Sequence, residues 1–250
     1  RREVTGSIVS IGSESIEKIA TGSGVDAIKG QVAGVDITSG GGRPGQNPVV
    51  RVRGRRSISA SNDPLYVIDG IPQTSSTGDG AIFDINPQDI QSMEILKDAA
   101  ATAIYGSRGA NGVILINTKR GKSGAPTVDY SAYVGSESIS QRPELLNAAE
   151  FRAAAAKYNQ KFDDLGANTD WLSAITRTAV SQNHNVGVSG GSEFLSYRAS
   201  VGYLDQIGTL LGSGKDRLTG RLNLDAKALD GKLLMKFNMS AMQIKNRCLH

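Results

Sequence analysis

Two periodicities divide this chain. From residue 127 onward apolar and polar residues alternate, the period-2 signature of strands with two unlike faces. TVDYSAYVG (127–135) places Val128, Tyr130, Ala132 and Val134 on one side. NVGVSGG (185–191) carries Val186 and Val188. SYRASVGYLDQ (196–206) sets Tyr197, Ala199, Val201 and Tyr203 opposite Arg198 and Ser200. RLTGRLNLDAKAL (217–229) alternates Leu218, Leu222, Leu224 and Ala226 with Arg217, Thr219, Arg221, Asn223 and Asp225. KLLMKFNMSAM (232–242) sets Leu233, Met235, Phe237, Met239 and Ala241 against Lys236, Asn238 and Ser240. Helical periodicity interrupts this only between residues 143 and 179, in PELLNAAEFRAAAAKYNQKF and DWLSAITRTA. The closing QIKNRCLH continues no strand pattern.

The first half mixes short elements. VTGSIVSIG (4–12) predicts a strand, and a short helix is expected over Val25–Gln31, broken at Gly34 before another strand. NPVVRVRG (47–54) reads as a strand with Val50 and Val52 on one face and Arg51 and Arg53 on the other. PLYVIDGIP (64–72) is a strand entering an Asp69-Gly70 turn. Asn86 is placed to cap a turn that opens with Pro87, followed by the strand SMEILK. Asp98 is placed to cap AAATAIYG, which Gly106 would end. GVILINTKRG (112–121) is the most apolar strand and should be central.

The connections in the second half alternate in length. GGSEFL (190–195) and LDGK (229–232) are tight, whereas the excursion over 136–182 and the link from 205 to 217 are long. Alternating faces alone suit a soluble antiparallel sheet as well as a membrane barrel. Short turns alternating with long loops favour the barrel.

Composition narrows the function classes. The chain has 250 residues, 39% hydrophobic and 5% aromatic, with 30 glycines and a formal charge of +4. Residues 1–122 hold 14 basic and 12 acidic residues, and the remainder holds the same numbers, so neither half is a basic nucleic-acid module. One cysteine, Cys248, and two distant histidines, His184 and His250, exclude an internal disulfide and a Cys- or His-based metal site. No apolar run is long enough for a spanning helix. RREVTGS lacks the apolar segment of a signal peptide.

Candidate chemistry is sparse. SGGGRPG matches a dinucleotide fingerprint at Gly40, Gly42 and Gly45, but a strand follows where a helix must open. Gly106, Gly109 and Gly112 in GSRGANG follow a helix, which offers carbonyl ends, the wrong polarity for phosphate. RGKSG imitates the end of a phosphate loop, but Ile116 stands where the leading glycine belongs. RVRGRR (Arg51, Arg53, Arg55, Arg56) lacks the stacking aromatics of a nucleic-acid platform and reads as a charged strand face. Asp63 and Asp69 could form an acid–base pair, but Asp69 sits in turn chemistry, and neither a Ser-His-Asp set nor a nucleophile elbow is present. No catalytic residues and no cofactor are expected.

RVRGRRS, PLYVIDGIP, INPQDIQSMEILKDAAATAIYGSRGANGVILINTKRG and LSYRASVGYLDQIGTL with RLTGRLNLD resemble, in order, signatures of the SusC/RagA family of TonB-dependent outer-membrane transporters of Bacteroidetes-type bacteria. The resemblance implies an α+β plug over residues 1–122, followed by the antiparallel strands of an incomplete transmembrane β-barrel over 123–250. About five strands are expected there, with a helical extracellular loop at about 136–182. It implies a structural or gating signature at Arg51, Arg53, Gly54, Asp69, Gly70, Lys97, Asp98, Tyr105, Gly106, Arg108, Gly109 and Gly112. Rim cations, including Lys119 and Arg120, would pair with carboxylates of the wall. Tyr158, Phe162 and Trp171 become candidate loop contacts, with packing on the loop's own helices as the alternative. Implied partners are a SusD-like surface lipoprotein, TonB, outer-membrane lipid and a glycan or peptide substrate. The expectation is a piece of a longer importer. A siderophore- or cobalamin-type receptor and a soluble α/β binding domain are the alternatives.

Overall fold

The computed structural model describes residues 8–19, 21–38, 43–54, 62–73, 85–97, 103–229 and 231–247. Two five-stranded sheets organise them. The first has the spatial order β1 (Ile8–Gly12), β6 (Ile90–Leu96), β7 (Val113–Thr118), β4 (Leu65–Ile68), β5 (Ile71–Gln73). The apolar strand β7 is central, antiparallel to β6 and parallel to β4. A separate ribbon pairs β2 (Val35–Thr38) with β3 (Val49–Val52).

Local chemistry accounts for the joints. Asp69 (φ 50°) and Gly70 (φ 87°) form the two-residue link of the β4–β5 hairpin, both at positive φ as a type I′ turn requires. Asn86 accepts a hydrogen bond from the Gln88 amide at 3.1 Å and starts a single 3₁₀ turn at Pro87. The helix expected over 25–31 is reduced to a 3₁₀ turn, Asp26–Ile28. Gly24 and Gly30 flank it, and glycine disfavours propagation. The Asp98 cap lies outside the described residues.

Ile114 and Ile116 point to one side of β7, into a cluster with Ile16 of α1 (Ser13–Glu17), Ile28, Val50, Val52, Met93 and Ile95. Val113 and Leu115 serve the opposite side with Val67, Leu96 and Tyr105. Gly112 joins the two layers: at φ 92° a Cβ there would stand 2.9 Å from the Val52 side chain.

The second sheet is an antiparallel meander, β8 (Gly124–Glu137) to β12 (Leu233–Arg247) in sequence order. It comprises β9 (Ala179–Gly191), β10 (Leu195–Ile207) and β11 (Gly214–Ala228) between them. Strands of 13–15 residues exceed the roughly 9–11 needed to cross a bilayer. β8 and β12 form open edges among the described residues. No helix among them is long and apolar enough to cross a membrane.

β12 corrects the sequence reading of its end, since it continues through Gln243–Arg247. Cross-strand charge holds that extension: Arg247 reaches Asp205 at 2.6 Å and also bonds Asp216. β9 likewise begins at Ala179, earlier than its valine pattern suggests.

The long link between β8 and β9 carries α2 (Ala148–Lys157) and α3 (Trp171–Ile175). Asn147 and Glu150 form a reciprocal capping box at 3.0 and 2.9 Å. Arg152 grips Asp164 through two bonds, 2.6 and 3.0 Å, and the Gly166 amide donates to the same carboxylate at 2.9 Å. The Arg152 bonds, then the Gly166 amide, hold the Asp164 carboxyl down to about 2.

Two outcomes follow. Ile114→Ala should destabilise the N-terminal domain by about 2–5 kcal/mol, read as a lower denaturation midpoint. Ile104→Ala, at an exposed position, should change it by less than about 0.5 kcal/mol. The Asp164 clasp has a folded pKa below its unfolded value, so its contribution is complete above about pH 4 and is lost as pH falls through about 2. Exchange protection of the Gly166 amide should follow that window, and Asp164→Asn should abolish the pH dependence.

Candidate functional site

The second sheet is inverted relative to a soluble one. Its apolar residues are bare: Val128 is 71% exposed, Val134 70% and Tyr130 64%. Its polar residues are covered: Asn185 and Asn223 are each 1% exposed and Arg217 2%. Ser181, Asn183, Arg198 and Ser200 are buried with them. Strand alternation sends these polar side chains to one face, where contacts run to the N-terminal domain.

Desolvated amides and guanidiniums need partners, and the domain provides them. Asn86 Nδ2 donates to Asn185 Oδ1 at 3.0 Å, so the residue that caps a turn also crosses the seam. It fits because the wall offers Gly202, where an added Cβ would collide with the Asn86 side-chain nitrogen. Asn223 Nδ2 donates to Thr118 Oγ1 at 3.2 Å and to the Lys119 carbonyl at 2.8 Å. Gly121 lies against the backbone of Tyr197 so closely that no side chain fits there.

Charge continues the seam. Arg120 pairs with Asp225 of β11 at 2.6 Å. Asp69 accepts from the Thr118 amide at 2.9 Å and from its hydroxyl at 2.8 Å. That carboxylate also lies 3.8 Å from Arg120 and 3.7 Å from Arg221 of β11, so two cations from opposite sides flank it. On the wall itself, Arg198 holds Asp129 through two bonds, 2.8 and 3.0 Å.

The other expected signature residues are spread over the domain. Lys97 is buried and donates to the Ala33 carbonyl, tying β6 to the loop before β2. Tyr105 packs on the Val67 cluster. Gly54, Gly106 and Gly112 adopt positive φ, and Gly109 is buried in a 3₁₀ turn that also holds exposed Arg108. Arg51 is half-buried on β3, and the Arg53 amide donates to Gly34 at 2.8 Å. Lys119 pairs at 2.7 Å with Glu17 of its own domain rather than with the wall. Asp98, Arg55 and Arg56 lie outside the described residues. In the long loop, Phe162 packs edge-on against Phe151 at 5.1 Å, whereas Tyr158 and Trp171 are largely exposed.

Sequence reasoning missed Asn185, Asn223, Arg221 and Asp225 as partners; it read Asn86 only as a cap, and it named Asp69 as a turn and signature residue without its partners Thr118 and Arg221. The available signal was parity: each of the four lies on the polar side of an alternating strand. Gly202→Leu should push Asn86 out of its slot and separate the domain from β9 and β10. A limited protease should then cleave the N-terminal domain faster, whereas Gly220→Leu, at a position open on the wall, should not change the rate.

Residues 1–113 match the TonB-dependent Receptor Plug Domain. Over 254 residues the chain is 41% identical to the TonB-dependent receptor SusC of Bacteroides thetaiotaomicron, an alignment covering 99% of this chain and 25% of that protein. It is 40% identical over 226 residues to the TonB-dependent receptor P3 of Formosa agariphila, covering 90% and 22%. The RagAB peptide importer in its closed-closed state superposes with a TM-score of 0.86 at 29% identity, over 98% of this chain and 31% of that one. The chain thus spans about a quarter of the length of these curated relatives. Its inverted sheet, its polar seam and its match along nearly the whole length place the chain in the SusC/RagA family of TonB-dependent receptors, as a plug domain with the first strands of the wall around it.

Proposed function

We propose that the chain forms the plug, residues 1–122, and the leading wall, residues 123–250, of an energy-coupled outer-membrane importer for oligosaccharides or oligopeptides. The observation that carries this reading is the inverted sheet, bare and apolar outside, polar and hydrogen-bonded to a folded domain inside. Outer-membrane lipid covers the apolar face, and further strands satisfy the open edges at β8 and β12, since unpaired backbone is not tolerated in lipid.

The work is binding and gated passage. In the closed state the plug rests on amide contacts and ion pairs, each worth only about 1 kcal/mol net. The apolar core of the plug is separate from that seam. The seam therefore yields before the plug core does, which lets the plug shift without unfolding. Within the signature, Gly54, Gly70, Gly106 and Gly112 keep the plug's turns and Asp69 keeps a contact with the wall. TonB acts on the periplasmic side. A SusD-like surface lipoprotein covers the outside, where exposed Tyr158 and Trp171 of the long loop support such a contact.

The test is a cleavable bridge across the seam. In the outer-membrane receptor that carries this chain, Asn86→Cys and Asn185→Cys should be joined by a short bis-thiosulfonate. The bridged receptor should stay in the detergent-requiring outer-membrane fraction, cease uptake of oligosaccharide or oligopeptide, and recover on reduction. Undiminished uptake with the bridge in place would overturn the gating reading. Uptake of ferric chelates alone would transfer the chain to the siderophore type.

A further inference from the structure

We propose that the cavity between the C-terminal end of the plug and the wall, at the start of β8, is a binding site for a small oxyanion, a phosphate or carboxylate group. The cavity has a volume of about 510 Å³. Gln91 of β6, Lys119, Arg120 and Lys122 of the connecting segment, Ser189 of β9 and Arg198 of β10 line it. Four of these six carry a positive charge, and no carboxylate belongs to the lining.

Three of the cations are paired with acids outside the lining. Glu17 holds Lys119 at 2.7 Å, Asp225 holds Arg120 at 2.6 Å, and Asp129 holds Arg198 at 2.8 Å. Each pair fixes its cation in place. Arg120 also lies 3.8 Å from Asp69. Lys122, exposed at the cavity, has no ion pair among the described residues and is the cation left to meet an anion. Arg198 is 6% exposed, and its Nε, with almost no accessible surface, has no hydrogen-bond partner among the described residues although both Nη atoms serve Asp129. That donor is closed off from the cavity, so Arg198 contributes the charge of its guanidinium there rather than a free N–H. The Gln91 amide and the Ser123 and Ser189 hydroxyls add neutral donors around the same space. Guanidinium and ammonium groups with such donors suit an oxyanion, which accepts several charge-assisted bonds at once.

This gives a role to the segment RGKSG, residues 120–124. It lacks the leading glycine and the following helix of a nucleotide loop. Gly121 instead presses the chain against the Tyr197 backbone, which brings Arg120, Lys122 and Ser123 to one cavity. Gly124 pairs with Gly191, at the end of the sheet where the short β9–β10 turn lies. Short turns face the periplasm in outer-membrane barrels. The placement at the periplasmic exit rests on the importer reading; the binding itself does not. At that exit the site would receive the acidic end of a departing substrate or a periplasmic phosphate.

The experiment titrates the full outer-membrane receptor in detergent with inorganic phosphate, and separately with acetate, by calorimetry at low salt. Saturable binding of at least one is expected. Lys122→Glu should weaken it about tenfold or more, while Lys157→Glu on α2 should leave it unchanged. Lys122→Arg should retain binding. Phosphate binding alone would assign the site to phosphate groups, and acetate binding to carboxylate ends; either supports the proposal. Absence of saturable binding by both anions, or equal binding by wild type and Lys122→Glu, would overturn it. Anion binding by a receptor that fails the bridge test would preserve this site and remove the importer reading.

Discussion

Everything in this structure depends on the burial of a polar surface. A sheet that shows valine, leucine and methionine outward must put asparagine, arginine and serine inward, because strand alternation leaves no third option. Those groups are removed from water, and an amide or guanidinium buried without partners is destabilising by several kcal/mol in the limit. The domain that fills the space must therefore be folded around its own apolar core while presenting a polar, hydrogen-bonding skin. The plug meets both requirements. Ile114 and Ile116 are wholly buried within it, while Asn86, Thr118 and Arg120 face the wall.

The character of the seam is that of a contact made of many small, separable interactions. Hydrophobic interfaces gain free energy in proportion to area and resist shear as a block. Hydrogen bonds and part-exposed ion pairs exchange with water, so the net cost of breaking each one is small. Specificity comes from shape. Asn86 enters a slot that exists only because Gly202 has no side chain, and the chain crosses Tyr197 only at Gly121. The seam is thus well defined in register yet weak in each contact.

Asp69 shows how one residue serves both levels. Its positive φ makes the hairpin turn, as the Asp-Gly pair suggested. Its carboxylate then binds Thr118 on the neighbouring strand and lies between Arg120 and Arg221. The same double use appears at Asn86, which caps Gln88 with its oxygen and reaches Asn185 with its nitrogen. In both cases the local role was readable in the neighbouring residues. The second role involves groups far along the chain, 99 residues away for Asn86 and, with Arg221, on β11 for Asp69.

The residues by themselves determined the strands of the wall, the central place of β7, the Asp69-Gly70 turn and the cap at Asn86, because alternation, turn chemistry and capping act over a few neighbouring residues. They left β12 short, since no apolar pattern marks Gln243–Arg247. Pairing with β11 and the bonds from Arg247 to Asp205 and Asp216 extend it. The tertiary structure alone decided which side of each alternating strand is covered, which asparagines meet, and where glycine is required for close approach. A period-2 pattern is symmetric with respect to inside and outside, and only the body packed against one face breaks that symmetry.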